Sequence, residues 1–341
     1  MSGRELASER TAESQPDSPA NPERTGIPLA ESTVDPAFDR LEHLRSILEL
    51  FLVLFVVFGT SIFASIAPLF GSPALRGSTY SLLCLMIQVG GGLMFLVYVL
   101  VSSDDKVRQR FTRDRLLGVS LGATAALWPS VWNGVLMLLA WFGASGNFVR
   151  QTYGVYPCLD KALGLFVLAY LLHRRGRSYA DIGLRWDSKS AALAAPLFLA
   201  GLVLYRFQSP ITFWFGQTFV GSGWTPPDID SLLFRGKMQV TAVLDALLNG
   251  FCEELVVRAF AMTAILTIFR RQWLAIVISV AVQISYHFYQ GVPLALSHIP
   301  LFTLYALFYA RTRLILPVAL AHSLTNLLSL WHYGVHPTSS G

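Results

Sequence analysis

The composition of this chain excludes a soluble enzyme. Of its 341 residues, 53% are hydrophobic and only 14% are charged, whereas about a quarter of the residues of soluble domains are charged. The net charge of +5 does not indicate a nucleic-acid partner, because the basic residues are scattered between apolar runs, as in membrane proteins. The three cysteines lie within or beside apolar runs, so we expect neither a disulfide framework nor a paired-cysteine metal site.

The first 46 residues are rich in Ser, Pro, Glu, Asp and Arg, a composition that predicts a flexible polar tail. No short apolar core of the kind found in cleavable signal peptides occurs near the start, so we interpret the first apolar run as a retained helix. We divide the rest of the chain into N-terminal transmembrane helices (47–173), a second group of helices (174–332) and a C-terminal tail (333–341).

Long apolar runs dominate the chain after the tail. A helix needs roughly 20 apolar residues to cross a hydrocarbon core of about 30 Å. Nine runs approach that length, the fourth and fifth being the shortest, and they predict an all-α, polytopic transmembrane helical bundle with eight or nine crossings. The predicted crossings are residues 47–70, 78–101, 116–143, 158–173, 190–207, 240–268, 272–290, 293–310 and 314–332.

The distribution of basic residues predicts the orientation. With the N-terminal tail inside, 19 of the 26 lysines and arginines lie in inner segments and six lie in outer segments, while Arg258 lies within a crossing. Such an excess marks the cytoplasmic side of membrane proteins. We therefore expect a multi-pass protein of a bacterial cytoplasmic (inner) membrane with its N-terminus inside.

The sixth predicted crossing contains three ionisable residues, Glu253, Glu254 and Arg258. Each charge in a membrane interior costs a few kcal/mol or more, so such residues usually have a function. On a helix, Glu254 and Arg258 are four residues apart and can pair, whereas Glu253 lies about 100° around the axis. Glu253 is therefore the less compensated carboxylate, which suits a general base.

Two later crossings add further polar side chains. His287 ends the seventh crossing, and His322 and Asn326 lie four residues apart on the ninth, hence on one helix face. Two donors directed at one point are what a developing oxyanion requires. A carboxylate, an imidazole and two hydrogen-bond donors are thus available on three helices.

At these residues the sequence resembles the CaaX-protease and bacteriocin-processing (CPBP, or Abi) family of intramembrane endopeptidases. Glu253, Glu254 and Arg258 match its Glu-Glu-x-x-x-Arg motif, and His322 with Asn326 matches its His-x-x-x-Asn motif.

A third family motif, Phe-x-x-x-His, is matched at His287, but Gln283 occupies the phenylalanine position. This departure affects the packing around His287 more than its catalytic imidazole. Segments 177–185 and 311–322 also look like the family's approaches to its core helices and to its last motif. The resemblance covers roughly residues 174–332, which we interpret as an intramembrane protease core.

The resemblance implies a hydrolytic mechanism. Glu253 with His287 would activate a water, His322 with Asn326 would stabilise the oxyanion, and the remaining pair of motif residues would orient the site. The implied substrate is a membrane protein, or a lipidated or membrane-tethered peptide. No cofactor is favoured, but zinc bound by Glu253, His287 and His322 is left open. The predicted site residues are Glu253, Glu254, Arg258, His287, His322 and Asn326.

Other interpretations of the same residues stay open. Glu254 and Arg258 would also suit a structural ion pair between packed helices. Cys252 is a weak candidate for a thiol nucleophile, because adjacent acids oppose thiolate formation. A proton-coupled transporter would also use buried Glu, His and Arg, and a catalytically silent membrane scaffold or immunity-type protein is a third possibility.

The predicted depths of two site residues disagree. Glu253 lies about 20 Å from the outer end of the sixth helix, but His287 lies only about 5 Å from the end of the seventh. For these residues to meet, the sixth helix must start later than residue 240, the seventh must extend past Gly291, or one helix must be broken or tilted.

Overall fold

The computed structural model describes residues 36–66, 78–102, 111–141, 146–222 and 240–335, which are largely helical and contain no strand. The predicted tails lie outside this range except for residues 36–46 and 333–335. Residues 36–46 belong to the first helix, which begins at Pro36 instead of residue 47. Proline favours the first position of a helix, because it has no N–H to leave unpaired there.

The described α-helices are labelled in chain order. The N-terminal ones are α1 (Pro36–Ile66), α2 (Ser78–Val101), α3 (Phe111–Trp141) and α4 (Gly146–Arg174). They are followed by α5 (Ser188–Ala192), α6 (Ala194–Arg206), α7 (Gln208–Phe219) and α8 (Val240–Glu253), and then by α9 (Met262–Phe269) and α10 (Gln272–Ser285). The last are α11 (Val292–Ser297), α12 (Ile299–Thr312) and α13 (Leu316–Val335).

The chain divides into two units, Met1–Leu41 and Glu42–Gly341. Only the start of α1 is described in the first unit. The second unit contains the site residues and one continuous apolar core, to which α1, α2, α4, α8 and the later helices contribute.

The fold is an all-α polytopic membrane bundle, as predicted. Among the described residues, five helical stretches are long and apolar enough to cross a membrane. Large apolar side chains are exposed along several helices, where lipid is the natural neighbour; those on α2 include Leu82, Met86, Leu93 and Val97. The five stretches are Glu42–Phe63, Leu82–Val101, Val155–Arg174, Ser188–Phe219 and Val292–Thr312.

Prolines interrupt the later apolar stretches. The stretch predicted as crossing 190–207 is divided at Leu193 and Phe207 and continues through α7. Pro196 and Pro210 lack the N–H that would bond three or four residues back, so each forces the helix to restart shortly before it. The stretch is therefore made of short helical pieces, and it is longer than predicted because it includes α7.

The disagreement in depth is resolved by a break after α10. Helix α8, in the sixth predicted crossing, comprises Val240–Glu253, but α10 has only 14 residues and ends at Ser285. Its length of about 21 Å is too short to cross the hydrocarbon core. The chain then turns through a 3₁₀ segment, Phe288–Gln290, and Gly291 into α11. His287 therefore lies at a helix end inside the bundle.

The segment that follows Glu253 is π-helical. It comprises Glu254–Ala261, and all eight of its residues are buried. π-helical turns are rare and occur frequently at functional sites, where they change the direction of side chains. The first predicted motif therefore lies at the junction between an α-helix and a widened turn.

The loop before α5 is held against the end of α12. Ile315 N–H donates to the carbonyl oxygen of Gly183 (3.0 Å), and Tyr309 Oη donates to that of Ile182 (3.1 Å). Gly183 has a φ of 95°, which favours glycine. Backbone N–H and hydroxyl donation from Ser178 lowers the pKa of the Asp181 carboxyl in this loop.

Candidate active site

Glu253, the last residue of α8, is buried and surrounded by donors. Its Oε1 accepts a hydrogen bond from Asn249 Nδ2 (2.6 Å), one turn earlier on the same helix. Its Oε2 accepts from Tyr286 Oη (2.8 Å) and from Gln283 Nε2 (3.1 Å). Hydrogen bonds to an ionised carboxylate are the stronger kind, so α8 and the end of α10 together fix this side chain.

Glu254 is fully buried and faces three other side chains. Its Oε1 lies 2.8 Å from His322 Nδ1 and 3.4 Å from Gln283 Nε2. Its Oε2 lies 3.6 Å from Arg258 Nε, which is an ion pair beyond hydrogen-bond distance. The amide of Gln283 thus bridges the two adjacent carboxylates.

The predicted pairing of Glu254 with Arg258 is observed, and both side chains are 0% exposed. Arg258 Nη2 donates to the carbonyl oxygen of Phe302 (3.3 Å), and the guanidinium lies 5.6 Å from the centre of the Phe302 ring. Its Nε and Nη1 have no hydrogen-bond partner within the described part of the chain. Removal of either charge would therefore leave the other buried and uncompensated.

His322 lies between the two carboxylates. Because a carboxylate only accepts, Nδ1 donates to Glu254, and Nε2 is then 4.0 Å from Glu253 Oε2. Helix α13 approaches α8 closely enough for this contact because residue 250 is glycine. A Cβ at Gly250 would lie 2.3 Å from Ser323 Oγ and 2.7 Å from Ser323 N.

The other two predicted site residues, His287 and Asn326, form hydrogen bonds with backbone oxygens near the two glutamates. His287 Nδ1 donates to the backbone oxygen of Gln283 (2.7 Å), and His287 follows Tyr286, which contacts Glu253. Asn326 Nδ2 donates to the backbone oxygen of Ala246 on α8 (3.3 Å). The structure thus brings Glu253, Glu254, Arg258 and His322 into direct contact, while His287 and Asn326 bond to backbone oxygens beside them.

Two donors to Glu253 were missed from the sequence, and a third was assigned only to packing. Asn249 lies four residues before Glu253, so helical periodicity alone identifies it as a neighbour. Gln283 could also have been identified from the sequence, because it lies four residues before His287. The contact of Tyr286 with Glu253 could not have been predicted, since it depends on the break in the helix after Ser285.

Within the described residues, no group of three His, Cys, Asp or Glu side chains is arranged to hold a metal ion. The three residues left open as zinc ligands do not form such a group. One of them, His322, already donates Nδ1 to Glu254.

Comparison with known proteins finds one family. The family model described as Rce1-like, Type II CAAX prenyl endopeptidase Rce1-like, matches residues 235–328. No curated protein and no solved structure matches the chain. The matched segment contains all six predicted site residues, but it begins later than the resemblance expected from residue 174. Over residues 235–328 this chain is therefore similar to the type II CAAX prenyl endopeptidases, the family that its three motifs indicate.

Proposed function

We propose that this chain is an intramembrane endopeptidase that hydrolyses a peptide bond of a membrane protein or of a lipidated or membrane-tethered peptide. The observation that carries the proposal is the buried carboxylate of Glu253, whose Oε2 lies 4.0 Å from His322 Nε2 and is held by Tyr286 and Gln283. A fixed, desolvated carboxylate beside an imidazole suits water activation.

In the first step, Glu253 acts as the general base. Glu253 accepts a proton from a water molecule, and the water oxygen attacks the carbonyl carbon of the scissile bond. His287 assists, because its Nδ1 donates to Gln283 O and leaves Nε2 as the acceptor of a neutral ring. When the C–N bond breaks, the proton returns to the leaving amine.

Two side chains of α13 stabilise the tetrahedral intermediate. His322, with both ring nitrogens protonated, donates Nδ1–H to Glu254 and Nε2–H to the oxyanion. Asn326 uses one amide hydrogen for Ala246 O, and its second amide hydrogen is available to the oxyanion. Glu254 and Arg258 act as the orienting pair that holds the His322 ring.

We propose that the reaction proceeds without a metal ion, with Glu253 as the base. Support comes from the hydrogen bonds that Glu253 and His322 already form with other side chains of the protein. Zinc is the alternative, and a chelation experiment separates the two.

We infer a prenylated peptide as the substrate class. The matched family is described by its action on CAAX prenyl substrates. An apolar groove of about 450 Å³ runs between α7 and the start of α12, and its size suits an isoprenoid chain. At its edge, Gln208 Nε2 lies 3.0 Å from His298 Nε2, and the rings of His298 and His287 are 5.5 Å apart. The groove is lined by Leu204, Phe207, Pro210, Ile211, Trp214 and Pro300.

We propose a bacterial cytoplasmic membrane with the N-terminus inside, on the basis of the 19 inner basic residues. A cysteine introduced at exposed Arg177 should react with a membrane-impermeant maleimide only from the inside, and one at exposed Val220 only from the outside. The reverse pattern would overturn the orientation.

The proposed function is tested with purified protein in proteoliposomes. The probe is a fluorescence-quenched peptide that ends in a CAAX sequence, with or without a prenyl group on its cysteine. We expect cleavage of the prenylated peptide and a loss of about 100- to 10,000-fold in Glu253→Gln. Glu42→Gln, a half-exposed glutamate of α1 (48%), is the matched control. Full activity of Glu253→Gln, or no cleavage by the wild type, would overturn the proposal.

A further inference from the structure

A helix far outside the matched segment contacts the candidate site. The ring of Phe58, on α1, stacks on the ring of Tyr286 with a centroid distance of 4.5 Å and an interplanar angle of 2°. About two helical turns further along α1, Ser65 Oγ donates to the backbone oxygen of Tyr286 (2.8 Å). Phe58, Ser65 and Tyr286 are all buried, so α1 holds Tyr286 through both its ring and its backbone.

The third contact of Tyr286 leads to the candidate base. Tyr286 Oη donates to Glu253 Oε2 (2.8 Å). This oxygen is also the one that lies 4.0 Å from His322 Nε2. Tyr286 therefore connects α1 to the oxygen that, under the proposed function, accepts the proton of water.

The backbone at Tyr286 needs a hydrogen-bond donor from another helix, because α10 ends immediately before this residue. Carbonyl oxygens at the end of a helix have no intrahelical partner, and a buried, unpaired one costs free energy. Ser65 supplies the missing donor to Tyr286 O. The stacked Phe58 ring then limits rotation of the phenol, which stabilises one position of the hydroxyl.

We propose that Tyr286 is a positioning residue for Glu253 and that α1 fixes it through Phe58 and Ser65. This inference rests on the proposed function. It assigns a role in the site to a helix that lies outside residues 235–328 and carries none of the three motifs. The hydroxyl of Tyr286 fixes the direction of the Glu253 carboxylate and does not contact the substrate.

The first measurement concerns the hydroxyl alone. In Tyr286→Phe the ring still stacks on Phe58, but the hydrogen bond to Glu253 is lost. We expect kcat for the prenylated CAAX peptide to fall about 10- to 100-fold, the worth of a hydrogen bond to a charged group. KM should stay unchanged, because an interaction with the base and not with the substrate is removed.

The second measurement is a double-mutant cycle that tests the role of α1. Phe58→Ala should lower kcat, and the same change in the Tyr286→Phe background should lower it little further, because both act through one hydroxyl. Phe51→Ala is the matched control, since Phe51 is on the same helix, 53% exposed, and stacks on Phe55. Phe58→Leu and Ser65→Ala replace Phe58→Ala if that variant fails to fold.

The outcomes separate this inference from the proposed function. Wild-type kcat in Tyr286→Phe, or fully additive effects of the changes at positions 58 and 286, would overturn the role of Tyr286 and α1 while Glu253→Gln remains inactive. Full activity of Glu253→Gln, or no cleavage by the wild type, would overturn the proposed function and this inference with it.

Discussion

His322 Nδ1 lies 2.8 Å from Glu254 Oε1, and this hydrogen bond joins two motifs that are 68 residues apart. It determines which way the imidazole faces, because the opposite ring nitrogen is then 4.0 Å from Glu253. Besides the amide of Gln283, Glu254 therefore has two ionisable partners, His322 and Arg258. The carboxylate of Glu254 thus both forms the structural ion pair with Arg258 and orients the ring of His322.

Removal of Glu254 should affect both stability and cleavage. Glu254→Leu leaves Arg258 buried without its counter-charge and releases His322. Because breaking a buried pair by removing one partner costs about 3–5 kcal/mol, we expect a large loss in the free energy of unfolding. Chemical unfolding in detergent and cleavage of the prenylated peptide measure the two effects.

A double variant separates these roles. In Glu254→Leu with Arg258→Leu, neither charge of the ion pair remains, and apolar replacement of a buried pair is often neutral or stabilising. Stability should therefore recover, but cleavage should not, since His322 still lacks its acceptor. Recovery of cleavage in the double variant would show that Glu254 serves only the ion pair.

Gln283 should be required for the geometry of the two carboxylates. Gln283→Leu removes the amide that bridges Glu253 and Glu254, and we expect cleavage to fall about tenfold or more, as for loss of a charge-assisted hydrogen bond. Gln272→Leu is the control on the same helix, because Gln272 is exposed and donates to Ala310 O (3.1 Å), away from the two carboxylates. Equal activity of the two variants would contradict the bridging role.

A methyl group at Gly250 should separate α8 from α13. The added Cβ of Gly250→Ala would lie 2.3 Å from Ser323 Oγ and 2.7 Å from Ser323 N, so the neighbouring residue His322 must move away from Glu254. Overpacking of this kind typically costs about 1–3 kcal/mol. We expect a lower thermal midpoint and reduced cleavage, whereas Gly90→Ala, with no atom within 4 Å of its Cβ, should lower neither. Wild-type behaviour of Gly250→Ala would contradict the tight packing.

A third buried carboxylate, outside the candidate site, should matter for stability alone. Glu49 is 0% exposed and accepts hydrogen bonds from Arg45 Nε (3.0 Å), from Arg175 Nε and from Tyr98 Oη. Glu49→Leu removes an acceptor from two arginines, which keep their contacts with Glu42 and Ser46, so we expect a loss of about 1.5–3 kcal/mol in the free energy of unfolding, as for a hydrogen bond to a charged group.

Glu42 provides the matched control for Glu49. Its pair with Arg45 is longer (3.7 Å) and its side chain is 48% exposed, and exposed pairs are worth about 1 kcal/mol or less. Glu42→Leu should therefore unfold nearly as the wild type does. The fraction of Glu49→Leu that remains folded should cleave at the wild-type rate, and a specific loss of kcat would place this cluster in the mechanism instead.

Chelation should leave the activity unchanged. If Glu253 is the base of a metal-free site, cleavage of the prenylated peptide should proceed equally after prolonged treatment with a chelator, and the purified protein should contain zinc well below one equivalent by mass spectrometry. Loss of activity that is restored by added Zn²⁺ would replace the proposed mechanism with a metal-dependent one.

Periodicity and length alone predicted much of the bundle. Crossing 78–101 coincides with α2, and the limits of α8 with α9 and of α11 with α12 lie near those expected, because apolar runs between polar residues mark membrane helices directly. The lengths of α4 and α10 were predicted less well. Helices inside a packed bundle extend or stop according to tertiary contacts, and hydrophobicity alone does not report those contacts.

What the sequence determined by itself is the membrane class, the helical architecture and the identity of the polar residues, since ions in apolar helices are rare and stand out from their surroundings. The tertiary structure alone decided how these residues meet. Tyr286 reaches Glu253 only because α10 ends early, and Phe58 and Ser65 reach Tyr286 only because α1 packs there. An apolar helix offers similar side chains on all its faces, so the face that meets a distant partner is determined by packing of the whole bundle.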